Sequence, residues 1–273
     1  MFIESTNVKF MVAYRIKYKG LVSQLYVPKK KNDGVRAIVV MPGLPMSFNL
    51  GALISKYLDS GDYVFYPFYS GTYDSAGVFT GDSAVADTYD FAEMIQQKSV
   101  DELYYNVKID LPKFEEVVFL GMSFSAVIAL HADTSPCDKI VLLSPVLMYN
   151  QEDISRAVSD FDFKSQMDSL LGLLRNAYPF TYRMGEHEDV LRSFLYGDSE
   201  YSRTQGVVEK LRGLNIPTLV VHGRKDLSVS IAMTEKMLAD AGNEDNITFW
   251  PINHAAHSIS SYGDELIDKV IAF

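Results

Sequence analysis

The chain has one cysteine, Cys137, in 273 residues, so no internal disulfide can form. Nothing in its cysteine usage points to an oxidising compartment. Cys137 lies in a Ser-Pro-Cys-Asp turn with no histidine close to it in sequence, and it reads as an inert structural thiol. Positive charge is also scarce: 25 Lys and Arg stand against 35 Asp and Glu, a formal net charge of −10. The basic footprint expected of a nucleic-acid binder is missing. The densest basic run, Lys29-Lys30-Lys31, abuts Asn32-Asp33-Gly34 and reads as a solvated turn. No window approaches 18 uninterrupted apolar residues, which excludes an ordinary transmembrane helix. Residues 1–7 have neither a basic start nor an apolar stretch, so no signal peptide is read there and a cytoplasmic location is expected. Gly71, Gly77 and Gly81 do not form the strand–Gly-x-Gly-x-x-Gly–helix order of a nucleotide fingerprint. The five histidines and single cysteine show no metal-ligand spacing. Neither a cofactor nor a metal is expected.

What is present suits one large globular domain, with 48% hydrophobic and 22% charged residues. Residues 8–27 read as an antiparallel hairpin turning near Lys19-Gly20. Short buried-strand runs follow at 37–41, 63–67, 117–120, 139–143, 217–221 and 247–250, and helical patterns alternate with them over about 50–60, 84–97, 125–132, 229–240 and 262–272. The segment 99–114 is ambiguous. From Tyr149 to about Leu211 there is no strand-like run, only helical spacing with many aromatics, among them Phe163, Tyr182 and Phe194. The expectation is an α/β fold: a mostly parallel, doubly wound sheet from residues 1–145 and 211–273, with a helical cap at 146–210 inserted in it. In such sheets function sits in loops at the carboxyl ends of strands.

One strand end stands out. Val117-Val118-Phe119-Leu120 runs into Gly121-Met122-Ser123-Phe124-Ser125, and helical spacing resumes at once. A serine on so sharp a strand-to-helix turn has its hydroxyl pushed out of the sheet. To act as a nucleophile it needs a base, an acid to orient the base, and donors for an oxyanion. Asp226, in His222-Gly223-Arg224-Lys225-Asp226 just past a strand end, is the candidate acid; the competing reading is a helix N-cap, and Glu152 and Asp153 are the fallback acids. Of the histidines, His131 follows the serine on its own helix, His187 lies among charged residues, and His222 holds the position before the acid. His254 and His257 remain, both after the last strand. His257 is preferred because the small pair Ala255-Ala256 lets the backbone bring its ring in, with His254 as the alternative. Backbone N–H groups of Phe124 and of Leu44, in Pro42-Gly43-Leu44-Pro45, are the candidate oxyanion donors.

Together these residues resemble the α/β-hydrolase fold superfamily, whose chain order is serine, acid, histidine. Pro42-Gly43-Leu44-Pro45 is similar to its oxyanion turn. Tyr66-Pro67-Phe68-Tyr69-Ser70-Gly71 through Gly77-Val78-Phe79 resembles a segment of its serine-aminopeptidase-like and acylaminoacyl-peptidase-like esterases, with Ser70 where those carry arginine. Asp87, after that segment, reads as structural. Ser125 stands where the last glycine of Gly-x-Ser-x-Gly is usual, and is small enough to leave the turn intact. The resemblance implies a serine hydrolase acting through an acyl-enzyme, with Ser123, His257 and Asp226 as the triad and a small to medium, apolar ester or thioester as substrate. The alternatives are an acylaminoacyl- or aminopeptidase-like amide hydrolase and a non-catalytic ligand-binding protein on the same fold. A small-molecule substrate is the expected partner, and a homodimer is compatible with the sequence.

Overall fold

The computed structural model describes residues 12–30, 34–46, 50–132, 136–159 and 161–273. Val8 and Phe10, at the start of the expected hairpin, lie outside them. Strands β1 (Val12–Tyr18) and β2 (Leu21–Val27) pair antiparallel about Lys19 and Gly20, both with positive φ. Next come β3 (Arg36–Met41), α1 (Gly51–Asp59), β4 (Tyr63–Phe68) and α2 (Gly81–Ile95). The ambiguous segment is a second hairpin, β5 (Ser99–Glu102) and β6 (Lys108–Asp110). The alternation continues through β7 (Glu116–Met122), α3 (Ser125–Leu130) and β8 (Lys139–Leu143). Four helices follow, α4 (Gln151–Ala157), α5 (Phe163–Ala177), α6 (Glu188–Leu195) and α7 (Thr204–Gly213). The chain closes with β9 (Thr218–Gly223), α8 (Ile231–Ala241), β10 (Ile247–Ile252) and α9 (Gly263–Ala272).

The strands form one sheet in the order β10-β9-β8-β7-β3-β4-β2-β1-β5-β6. The six from β10 to β4 run parallel, and the four beyond β4 pair antiparallel. The parallel strands are apolar on both sides because helices cover both faces: Ile38, Val39, Val40, Phe119, Leu120, Val141 and Val220 have no exposed surface. The chain steps from β3 to its neighbour β4, then crosses back to β7 on the far side of β3. With right-handed crossovers, that reversal puts α1 on one face and α2, α3 and α8 on the other. It also makes the gap between the carboxyl ends of β3 and β7 the topological switch point, where α/β sheets open a crevice.

Helix α2 starts at Gly81, three residues ahead of the sequence estimate. Thr80 and Ser83 form a reciprocal capping box, with the Thr80 hydroxyl accepting from Ser83 N at 2.9 Å and the Ser83 hydroxyl accepting from Thr80 N at 2.9 Å. The signal was missed because serine stands where the motif usually has Glu or Gln. Cys137 is buried and unbridged, with its thiol against the Lys139 carbonyl. Among the described residues no helix is long and apolar enough to cross a membrane.

Candidate active site

Register builds the site. Met41 of β3 lies level with Gly121 of β7, Met122 with Leu143 of β8, and Leu143 with Val221 of β9. Ser123 and Ser144 therefore leave the sheet side by side, level with His222 near the end of β9 and one residue beyond Pro42 of the turn after β3. Ser123 has φ +50°, a left-handed backbone that costs a non-glycine residue about 1 kcal/mol or more, and its N–H donates to the Leu143 carbonyl at 3.0 Å. Gly121 is obligatory: a Cβ there would lie 2.5 Å from the Ser125 carbonyl oxygen and 2.6 Å from the Ala129 Cβ. Strand and helix meet at contact distance, as so tight a turn demands.

Ser125 stands where a second glycine is usual, and its hydroxyl is used inside the turn. It is fully buried, donates its hydroxyl to the Pro42 carbonyl and accepts from the Tyr69 hydroxyl at 2.6 Å. The elbow is thereby tied to the turn after β3. That turn also packs on Ser123, since a Cβ on Gly43 would sit 3.1 Å from the Ser123 Cβ. Its far end is held by Met46 N, which donates to the Tyr182 hydroxyl at 2.5 Å. Among the described residues no backbone carbonyl takes the N–H of Leu44 or of Phe124.

The loop after β10 is clipped to the end of β9. Arg224 N donates to the Ile252 carbonyl at 2.8 Å and Lys225 N to the Ala255 carbonyl at 2.9 Å. Gly223 is needed there, because a Cβ would come within 2.2 Å of the Ala255 oxygen. The clip carries His257 over Asp226: Nδ1 lies 2.7 Å from Asp226 Oδ2, and Nε2 lies 3.0 Å from Ser123 Oγ. The three residues the sequence singled out thus form one hydrogen-bonded chain. His254 is exposed, His187 is exposed, and His131 packs its ring edge-on against Tyr201. Asp153 pairs with Arg156 in the first turns of α4, away from this chain of contacts.

No protein-family model and no curated protein matches the sequence. Solved structures match it over nearly its whole length. Est1E from Butyrivibrio proteoclasticus is 14% identical with a TM-score of 0.63, covering 96% of each chain. An esterase of Pyrococcus furiosus is 14% identical with a TM-score of 0.63, over 96% of this chain and 89% of its own. A thioesterase domain from the curacin biosynthetic pathway is 13% identical with a TM-score of 0.62, over 97% of this chain and 100% of its own. The chain has the α/β-hydrolase fold.

On this α/β-hydrolase frame the Asp226 carboxylate is saturated with donors. Oδ1 accepts from Ser228 N and Val229 N, each at 2.9 Å, and Oδ2 accepts from both His257 and His222, the latter at 3.1 Å. Burial alone would push its pKa up; the bonds from His222 and His257, the charge His257 can carry and the Val229 N–H outweigh it and hold the carboxyl well below the usual range. Asp226 Oδ1 gathers two N–H groups as a capping carboxylate would, but ahead of the helix and not at its end. The true cap of α8 is Ser230, through Ala232 N.

His222 is the partner that sequence reasoning set aside. It has no exposed surface, and its Nε2 faces two acceptors, Asp226 Oδ2 and the Val229 carbonyl at 3.0 Å, so Nε2 carries a hydrogen. That leaves Nδ1, in the neutral ring, to accept from the Thr234 hydroxyl at 2.9 Å. Its position four residues before the aspartate was the available signal. Asp87 is structural as expected: it accepts from Ser70 N at 2.6 Å and the Ser70 hydroxyl at 2.7 Å, and burial pushes its carboxyl up to about 6 against those bonds.

A cavity with two lobes opens on Ser123. The larger, about 400 Å³, runs along Pro42–Pro45 to Ser144 and Tyr262. The smaller, about 230 Å³, is walled by Phe124, Val146 and Leu195 and by Phe163, Met167 and Leu170 of α5. Leu44, Ser123, Ser228 and His257 border both. Of the aromatics between β8 and β9, Phe163, Tyr182 and Phe194 are buried, whereas Phe180 is 92% exposed.

Proposed function

We propose that the chain is a serine hydrolase that cleaves a carboxylic ester or thioester through an acyl-enzyme. The observation that carries this reading is the unbroken sequence Ser123 Oγ, His257, Asp226 Oδ2, at 3.0 and 2.7 Å, at the mouth of a cavity. Ser123 Oγ attacks the carbonyl carbon while His257 Nε2 takes its proton. The carbonyl oxygen becomes an oxyanion at the N–H groups of Leu44 and Phe124. The tetrahedral adduct collapses, His257 returns the proton to the departing alcohol or thiol, and the acyl group stays on Ser123. Water then attacks with His257 as base, and the acid and free Ser123 are regenerated. Asp226, held ionised by four hydrogen bonds, keeps the His257 ring oriented and stabilises its charged form.

The names of the structural neighbours, an esterase and a thioesterase domain among them, support ester or thioester chemistry. The apolar wall from α5 supports a hydrocarbon group on one half of the substrate, with residues 146–210 as the cap over it. The test is labelling by a fluorophosphonate probe together with hydrolysis of p-nitrophenyl butanoate. Labelling and turnover in the wild type, both lost in Ser123→Ala, are expected. A folded wild type that takes no label and turns over no ester would sink the reading.

A further inference from the structure

Ser144 ends β8 one residue beyond Leu143, whose carbonyl holds the Ser123 N–H. Its φ is +43°, a left-handed backbone on a non-glycine residue, and such strain concentrates where a side chain must be aimed. Ser144 and Tyr262 are each 3% exposed, and their hydroxyls are hydrogen-bonded to each other. Two hydroxyl protons are present and the contact between them uses one. Whichever residue donates, one O–H is left with no acceptor among the described residues, in the wall of the larger lobe. A hydroxyl proton held in a cavity wall by a buried pair is placed to meet an acceptor oxygen that arrives with the substrate.

The smaller lobe is built differently. Its buried tyrosine, Tyr149, already donates its hydroxyl to the Phe124 carbonyl at 3.2 Å, and apart from the half-buried Gln166 the α5 side presents Phe163, Met167 and Leu170. The two lobes therefore suit the two halves of an unsymmetrical ester.

We propose that the Ser144–Tyr262 pair is a substrate-binding subsite, and that the natural substrate carries a hydroxyl or other acceptor oxygen a few bonds from the scissile carbonyl, on the half that enters the larger lobe. This rests on the hydrolase reading of Ser123 and adds to it the polarity of the substrate.

Two isosteric pairs of esters test it: 2-hydroxyethyl butanoate against propyl butanoate, and ethyl 4-hydroxybutanoate against ethyl pentanoate. The wild type is expected to favour the hydroxyl member of one pair by about tenfold in kcat/KM, the worth of one buried hydrogen bond. Which pair responds tells whether the alcohol or the acyl half occupies the larger lobe. Ser144→Gly suits a φ of +43° and keeps the fold, and combined with Tyr262→Phe it removes both hydroxyls; the double variant should bring the preference to near unity. Either single variant leaves one O–H in the wall and should keep part of the preference. A wild type that favours the alkyl member in both pairs overturns the proposal, as does a hydroxyl preference that survives the double variant in full. If the probe labels Ser123 and esters are turned over with no hydroxyl preference, only this inference falls; if neither happens, the hydrolase reading falls and takes this one with it.

Discussion

The Tyr69 hydroxyl lies 2.6 Å from Ser125 Oγ, two residues after Ser123. The Ser125 hydroxyl donates to the Pro42 carbonyl, so the loop after β4, the elbow after β7 and the turn after β3 share one buried linkage. Ser125→Gly restores the usual small residue but cuts that linkage. The expected result is a fall in kcat of about tenfold with KM little changed, because the turn carrying the Leu44 N–H loses its hold while the cavity walls stay. Tyr69→Phe should fall in the same direction. Steady-state kinetics on one p-nitrophenyl ester decide it; a rise in KM at constant kcat would argue against a linkage to the oxyanion turn.

The base is tested by comparing two histidines three residues apart. His257→Ala should lose about 10³-fold or more of kcat, since Ser123 Oγ loses its acceptor at 3.0 Å. His254 is exposed, and His254→Ala should keep activity within about twofold. Equal losses in both would show that the loop, and not the ring of His257, sets the rate.

His222 acts on the site through Asp226. His222→Leu removes one of four donors to the carboxylate and leaves the buried Thr234 hydroxyl without its ring partner. A loss of about 2 kcal/mol in unfolding free energy is expected, with a fall in kcat of about tenfold or more. His222→Gln, which can return an N–H toward Asp226, should recover part of the rate. Denaturant unfolding and kinetics on the same preparations separate the two effects; a lower stability with unchanged kcat would make His222 purely structural.

Asp87 makes a pH prediction. Its carboxyl is raised from 3.8 to about 6 by burial, so the folded state holds the proton more tightly than the unfolded chain. Stability then falls as pH rises between about 4 and 6, by on the order of 3 kcal/mol, and stays low above that window. In Asp87→Asn the dependence is removed while the amide oxygen can still accept from Ser70. The variant should melt higher than the wild type at pH 8, and the gap should close as the pH is lowered through 6 to 4. A gap of constant size across that range would show that the carboxyl does not titrate there. Asp226 has the opposite sign: its depressed pKa gives stability that is fully present at neutral pH, begins to fall as the pH drops through the ordinary carboxylate range, and is all lost only well below it.

The legible parts of the fold were those with a local signature. Buried strands read as short apolar runs because both faces of a parallel sheet are covered, and Val117–Leu120 and Lys139–Leu143 were placed to within a residue or two of β7 and β8. The hairpin of β5 and β6 was not legible, since its strands are four and three residues long, too short for their alternation to stand out, and one of the inward positions is the charged Glu102. What pairs β5 with β1 is the register Ile16 with Glu102, a contact 86 positions apart in the chain.

For the site, the sequence by itself determined which residue types stand at strand ends and in what order: serine, then aspartate, then histidine, with Pro42-Gly43-Leu44 ahead of them. Order along a chain is written in its residues. Tertiary structure alone decided what those residues touch. It chose His257 over His254, because the clip between Lys225 N and the Ala255 carbonyl turns one ring inward and leaves the other in solvent. It set His222 behind Asp226 and Tyr69 beneath Ser125, and brought Ser144, from the end of β8, against Tyr262, 118 residues on. These are distances between segments remote in sequence, set by sheet register and helix packing, and no local pattern encodes them.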